Sequence, residues 1–135
     1  MKRPAVVMTA IALAVLLVLA LPAAASSPHP FRGDWKAIDG DGSNLSLSFV
    51  AQSRSGGRVF NIHGFDDSCT SCGGAPAGME GVGVLDGENT INASFVWWTV
   101  PTGDPVLGLF DGSFTYDPDT NTVTDPDGIV YHRNP

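Results

Sequence analysis

The sequence predicts an all-β protein with one domain, most simply an antiparallel up-and-down barrel of about eight strands. Segments of alternating or apolar character recur between residues 33 and 133, turn dipeptides rich in Gly and Asp separate them, and no window keeps a helical period. Successive strands with short connections pair most simply as antiparallel neighbours, and about eight such strands can close into a barrel. A two-sheet β-sandwich is the alternative.

The strand boundaries follow from this alternation. Leu45, Leu47 and Phe49 share one face of a strand, with serines between them. Asp86-Gly87 is a strong hairpin signal before the longest strand, and a long loop is expected at residues 66–78. We therefore expect strands at residues 33–38, 45–51, 58–65, 79–85, 90–100, 106–116, 121–124 and 129–133.

The first 25 residues have the pattern of a secretory signal peptide. Lys2 and Arg3 precede an apolar run over residues 5–21, and the alanines at residues 23–25 supply the small side chains that a signal peptidase requires. We expect cleavage before Ser26, an extracellular protein, a flexible lead at residues 26–31 and a barrel domain at residues 32–135. An uncleaved N-terminal membrane anchor is the alternative, because the apolar run reaches the lower length limit of a membrane span.

The charge of the exported chain limits its partners. Without the 25 leader residues and their two basic side chains, 110 of the 135 residues remain, with five basic and 14 acidic side chains and a formal charge of −9. Such a surface repels phosphate backbones and anionic lipid head groups. We therefore expect no nucleic-acid partner and no membrane binding after cleavage. The oligomeric state is left open.

The two ends of the predicted domain carry a recognisable pair of residues. Gly33-Asp34-Trp35 opens the first strand and Arg133 closes the last. This pair resembles the lipocalin and avidin-like (calycin) barrels, which carry Gly-x-Trp on their first strand and an Arg near the chain end. The resemblance implies that the last strand lies beside the first and that the Arg133 guanidinium stacks on the Trp35 indole, closing the barrel floor.

Other stretches resemble a group of small, uncharacterised secreted bacterial proteins. These stretches are Trp35 with residues 39–43, and residues 72–77, 114–118 and 127–133, which together run over most of the exported chain. The resemblance implies the same barrel fold and export, and it implies no activity.

The two cysteines occur in one short segment, Cys69-Thr70-Ser71-Cys72. In an exported protein such a pair most often forms a structural disulfide. A redox pair would need a thioredoxin-like frame, which the sequence does not predict, and a zinc site would need two further ligands, for which His63 is the one nearby candidate. We expect Cys69 to be bonded to Cys72.

No pattern in the chain is typical of a catalytic or metal site. Asp39-Gly40-Asp41-Gly42 begins like a calcium loop, but Asn44 and Val50 stand where an EF-hand needs Gly and Glu. A hairpin turn is the favoured interpretation, and calcium binding by Asp39 and Asp41 is left open. We expect a protein that is not an enzyme and has no cofactor or metal; a secreted hydrolase or inhibitor is the least favoured alternative.

The densest aromatic run, residues 95–98, suggests where a ligand could bind. Trp97 and Trp98 are neighbours in a strand, so their indoles point to opposite faces. Phe95 and Trp97 share the inward face and are the candidate ligand-binding residues. The best hypothesis is a secreted module that binds a small apolar ligand, and the alternative is a structural or interaction protein of the cell surface with a solid barrel core.

Overall fold

The computed structural model describes residues 29–100 and 105–135, with the backbone alone at residues 105–107. Eight strands form one closed antiparallel barrel in which each strand pairs with its sequence neighbours and the last pairs with the first. The predicted up-and-down barrel is confirmed, and the two-sheet sandwich was the wrong alternative. The strands are β1 (Gly33–Ile38), β2 (Asn44–Ala51), β3 (Val59–Cys69), β4 (Ala75–Asp86), β5 (Thr90–Thr99), β6 (Pro105–Asp117), β7 (Thr122–Thr124) and β8 (Val130–Arg133).

The predicted signal peptide and its cleavage before Ser26 lie outside the described residues. Within the described ranges, no helix has the length and apolar character needed to cross a membrane.

A column of aromatic rings in contact with one another runs through the interior. Ring centroids are 5.4 Å apart for Phe31 and Phe49, and 5.3 Å apart for Phe49 and Phe114. The column continues to Phe95 at 6.2 Å and from there to Phe110 at 6.0 Å. Edge-to-face and tilted pairs at these separations are favourable beyond their area of burial. One end of the barrel is called the floor and is marked by Phe31, Trp35 and Arg133; Phe31 and Trp35 are fully buried there.

Residues 29–31, expected in a flexible lead, belong to the barrel. Phe31 is fully buried at the base of the aromatic column. A turn places it there: the N–H of Arg32 donates to the carbonyl of His29 at 2.9 Å, and the indole Nε1–H of Trp35 donates to the carbonyl of Phe31 at 2.9 Å. A single apolar residue in a Pro-rich segment has no periodicity to reveal its burial, so the sequence did not predict that Phe31 is buried.

The loop expected at residues 66–78 is also corrected. β3 runs on to Cys69 and β4 begins at Ala75, with a one-turn 3₁₀ helix at Thr70–Cys72 between them and a register shift between Asp66 and Cys69. Gly73 and Gly74 adopt φ of 70° and 83°, which lets the chain reverse within a few residues.

The glycines of β4 explain why its strand pattern is weak in the sequence. An ideal Cβ on Gly83 would lie 2.3 Å from Cγ2 of Ile91, and one on Gly81 would lie 2.6 Å from Cβ of Phe95. The missing side chains of β4 leave interior space that the larger side chains of β5 occupy. On the inward face of β4, side chains of β5 therefore fill the positions at which β4 itself has glycines.

We expect the stability of the barrel to depend on pH through His29, which lies at the floor. Burial lowers the pKa of His29 from 6.5, against a smaller raising effect of a hydrogen bond with the Glu88 backbone. The His29 ring stacks on Phe31, and its Nδ1 accepts a hydrogen bond from the Phe31 N–H at 3.4 Å. As the pH falls, His29 takes up a proton in the unfolded chain before it does so in the folded protein. The free energy of unfolding should therefore fall as the pH falls from about 8, through the pKa of His29 in the unfolded chain, to its lower pKa in the folded protein. Below that lower pKa, His29 should cause no further loss of stability.

Urea unfolding of the wild type and of His29→Gln between pH 8 and pH 5 checks this expectation. The variant should show a smaller loss of stability over the range than the wild type does. Equal losses in the two proteins would contradict the role given to His29.

Candidate functional site

The barrel end opposite the floor, called the mouth, contains a cavity of about 340 Å³. It is bounded by the β1–β2 turn, the tip of the β3–β4 hairpin, the connection between β7 and β8, and the upper parts of β5 and β6. Small-molecule pockets typically have volumes of about 300–1,000 Å³, so the mouth is large enough for a small ligand. The apolar side chains of its lining are Leu45, Phe95, Trp97, Phe110, Pro126, Ile129 and Tyr131.

Both candidate ligand-binding residues lie in this lining. Phe95 is buried at the base of the cavity, where its ring stacks on Phe110 with an interplanar angle of 21°. Trp97 lies two residues further along the same inward face of β5 and is half-buried at the level of the cavity. The aromatic column of the core therefore ends in an open aromatic wall.

Trp98 points outward, as the strand alternation requires. Its indole lies on Gly78 of the adjacent strand β4, where an ideal Cβ would lie 2.6 Å from Cζ2 of the ring. The absent side chain of Gly78 leaves room for the indole to cover backbone on the outer face. Trp97 and Trp98 thus have separate environments, one in the mouth and one outside it.

A buried carboxylate, that of Asp66, forms part of the mouth wall. Asp66 continues the inward face of Phe60 and Ile62 on β3 and is 7% exposed. Its Oδ1 accepts a hydrogen bond from the N–H of Ser68 at 2.9 Å. Because β3 was expected to end at Phe65, the sequence did not predict this inward carboxylate.

The opposite side of the mouth contains a second carboxylate, Asp125, with a fixed position. Its Oδ1 accepts hydrogen bonds from the N–H groups of Asp127 and Ile129, each at 2.9 Å, and its Oδ2 accepts one from the Tyr131 hydroxyl at 3.3 Å. Burial raises the pKa of Asp125. Burial, and next the charge of Asp125, raise the pKa of Tyr131, and Asp39 also contributes.

The connection that carries Asp125 folds over the barrel because of one glycine. An ideal Cβ on Gly112 of β6 would lie 2.3 Å from Cγ of Pro126. Pro126 therefore approaches the backbone of β6 closely at Gly112. This approach brings Ile129 and Asp125 into the mouth lining.

The hairpin tip beside the mouth is held in two ways. Cys69 and Cys72 are joined by a disulfide around the 3₁₀ turn, with Cα atoms 5.1 Å apart. The tip is also hydrogen-bonded to the β1–β2 turn: the Thr70 hydroxyl donates to Asp41, and the Asn44 N–H donates to Asp67 Oδ1 at 2.8 Å. These bonds give the mouth a defined wall on the β3–β4 side.

No metal site is found in the part of the chain that the structure describes. Among residues 29–100 and 105–135, no three His, Cys, Asp or Glu side chains are grouped so that they could hold a metal ion. Asp41 instead accepts hydrogen bonds from the Thr70 hydroxyl and, at 2.9 Å, from the N–H of Ser43. The bond from the Ser43 N–H is typical of a hairpin turn, and the bond from Thr70 joins this turn to the β3–β4 tip.

At the floor, the two residues expected to close the barrel are in contact. Trp35 and Arg133 are register partners between β1 and β8, and the Arg133 guanidinium carbon lies 4.2 Å from the centroid of the Trp35 ring. Arg133 Nη1–H donates to the carbonyl of Arg32 at 2.9 Å, and Nη2–H donates to that of Pro30. Gly33 has φ of 124°, and an ideal Cβ there would lie 3.1 Å from Arg133 Nη1, so a glycine is needed at the first position of Gly-x-Trp.

Comparison with known proteins supports the fold and nothing more specific. No protein-family model matches the chain. No curated protein matches it either. A solved structure described as a redesigned β-barrel is similar, with a TM-score of 0.50 and 19% sequence identity over 78% of this chain and 93% of that chain. At this identity the similarity carries information about the barrel architecture alone.

Proposed function

We propose that the protein is a non-enzymatic, exported module that binds a small ligand in the mouth of its barrel. The observation that carries the proposal is the cavity of about 340 Å³, whose walls are largely aromatic and aliphatic. Apolar ligand surface buried against such walls contributes about 25 cal/mol per Å² before the entropic cost of association is subtracted.

The distribution of core and cavity favours this function over a solid structural barrel. Phe31, Phe49, Phe60 and Phe114 fill the floor half with exposures of 1% or less. At the mouth, by contrast, Trp97 and Phe110 are only half-buried. A barrel that served only as a rigid surface would gain stability by filling both ends, since cavities cost free energy.

We also propose that the barrel is calycin-like, on the basis of its closure. Gly33, Trp35 and Arg133 occupy the positions expected from the resemblance, and the N-terminal segment that carries Phe31 seals the same end. A sealed floor and an open opposite mouth are the arrangement that a barrel needs in order to hold a ligand from one side.

The test compares the two adjacent tryptophans with a neutral apolar probe. Titration of the purified protein with N-phenyl-1-naphthylamine, followed by probe fluorescence, should show saturable binding. Trp97→Ala should weaken binding about tenfold, because it removes the aromatic wall of the mouth and a loss of about 1.4 kcal/mol corresponds to that factor.

Trp98→Ala is the matched control. It removes the same side chain from the outer face, where the indole covers Gly78 and does not line the cavity, so binding should be unchanged. Equal weakening by the two variants, or no saturable binding by the wild type, would overturn the proposed function.

A further inference from the structure

The mouth contains a buried carboxylate that lacks a cationic partner. Asp66 is 7% exposed and lines the cavity. Within residues 29–100 and 105–135, this carboxylate accepts one hydrogen bond, from the N–H of Ser68 to its Oδ1, and it forms no ion pair. Buried carboxylates are usually paired with a cation or with several donors, because removal of the charge from water is costly. The Asp66 carboxylate, which lies in the cavity wall, can therefore accept further hydrogen bonds.

The charged side chains among the described residues that line the mouth are all acidic. Asp39, Asp111, Asp125 and Asp127 line it together with Asp66, and no Lys, Arg or His side chain is in this lining. Negative side chains around a partly enclosed cavity attract a cation and repel an anion. An apolar cavity with this lining discriminates between ligands that share a hydrocarbon body and differ in head-group charge.

The aromatic wall is suited to the same kind of ligand. Phe95, Trp97, Phe110 and Tyr131 line the cavity together with these carboxylates. Aromatic faces attract ammonium groups within about 6 Å of the ring centroid, and the attraction grows as water is excluded. The walls that bury an alkyl or aryl body can therefore also stabilise a positive head group.

We propose that the mouth binds amphipathic organic cations, with an apolar body against the aromatic wall and an ammonium head group on Asp66. This proposal rests on the ligand-binding function proposed above. A divalent metal ion fits the mouth less well, because the described residues form no ligand group for one. An anionic ligand would bring a negative charge beside the Asp66 carboxylate, which has no cationic partner among the described residues.

Three probes with the same eight-carbon tail test the proposal by isothermal titration calorimetry at pH 7: octylammonium, 1-octanol and octanoate, each below its aggregation concentration. Octylammonium should bind at least tenfold more tightly than 1-octanol, and octanoate should bind most weakly. If 1-octanol binds as tightly as octylammonium, the ligand-binding function stands and the charge selection is wrong. If none of the three binds, both fail.

The variant Asp66→Asn separates the buried carboxylate from the general negative field. Its side-chain oxygen can still accept the hydrogen bond from Ser68 N–H, so the fold of β3 should be kept. It should weaken octylammonium binding about tenfold and leave 1-octanol binding unchanged. The control Asp119→Asn removes the same charge from an exposed turn between β6 and β7 that does not line the cavity, and it should leave the affinities for both probes unchanged. Equal effects of the two variants on octylammonium would overturn the role of Asp66.

Discussion

Phe31→Ala should destabilise the barrel by about 3–5 kcal/mol, the usual cost of removing a fully buried phenylalanine. Phe31 is completely buried, and its ring contacts Phe49, Phe60 and Tyr116 at centroid separations of 5.4, 6.4 and 5.9 Å. The backbone of Phe31 is held by the Trp35 indole, so the segment cannot easily collapse into the space left by the ring. Urea unfolding of the wild type and of the variant measures the loss.

Phe65→Ala is the matched control for this prediction. Phe65 lies on the outer face of β3 with 42% of its surface exposed, so the same truncation there should cost about 1 kcal/mol or less. If Phe31→Ala costs no more than Phe65→Ala, residues 29–31 do not stabilise the barrel and are a dispensable lead.

Alternation along single strands accounts for what the sequence predicted well. Leu45, Leu47 and Phe49 were expected on one face and are all buried, and β1 has the predicted bounds Gly33–Ile38. Such patterns are local, since each residue's face is fixed by its position in the pleat. The order of the strands follows from the short connections between them, which is why the closed barrel could be predicted.

Features that depend on two distant segments could not be read in this way. The inward position of Asp66 depends on the extension of β3 along its partner strand β4. In the sequence of β4, Gly81 and Gly83 hide the alternation of apolar and polar residues that would reveal a strand. The approach of Pro126 to Gly112 joins two segments that are separate in the sequence. The aromatic half of the mouth, Phe95 and Trp97, was predictable from strand alternation, but its charged half was not.

Arg133→Ala should destabilise the barrel by about 2–3 kcal/mol, from the loss of a cation–π contact and of hydrogen bonds made by a charged donor. The guanidinium lies 4.2 Å from the centroid of the Trp35 ring and bonds to the carbonyls of Arg32 and Pro30. It therefore joins β8, β1 and the segment that seals the floor. Arg133→Lys should recover little of this stability, because an ammonium cannot both stack as a plane and reach two carbonyls.

A double-mutant cycle of Arg133→Ala with Trp35→Phe isolates the stacking contact, since it subtracts the separate cost of each substitution. We expect a coupling energy of about 1 kcal/mol, measured by urea unfolding at one pH. His132→Ala serves as the position control: His132 is on the neighbouring register pair with Lys36 and is exposed on the outer face, so it should couple weakly to Trp35→Phe. A coupling near zero for Arg133 would show that it stabilises the floor through its carbonyl contacts alone. In that case the pairing of Gly-x-Trp with a terminal Arg would lose its energetic basis, and the calycin-like interpretation of this barrel would lose its main support.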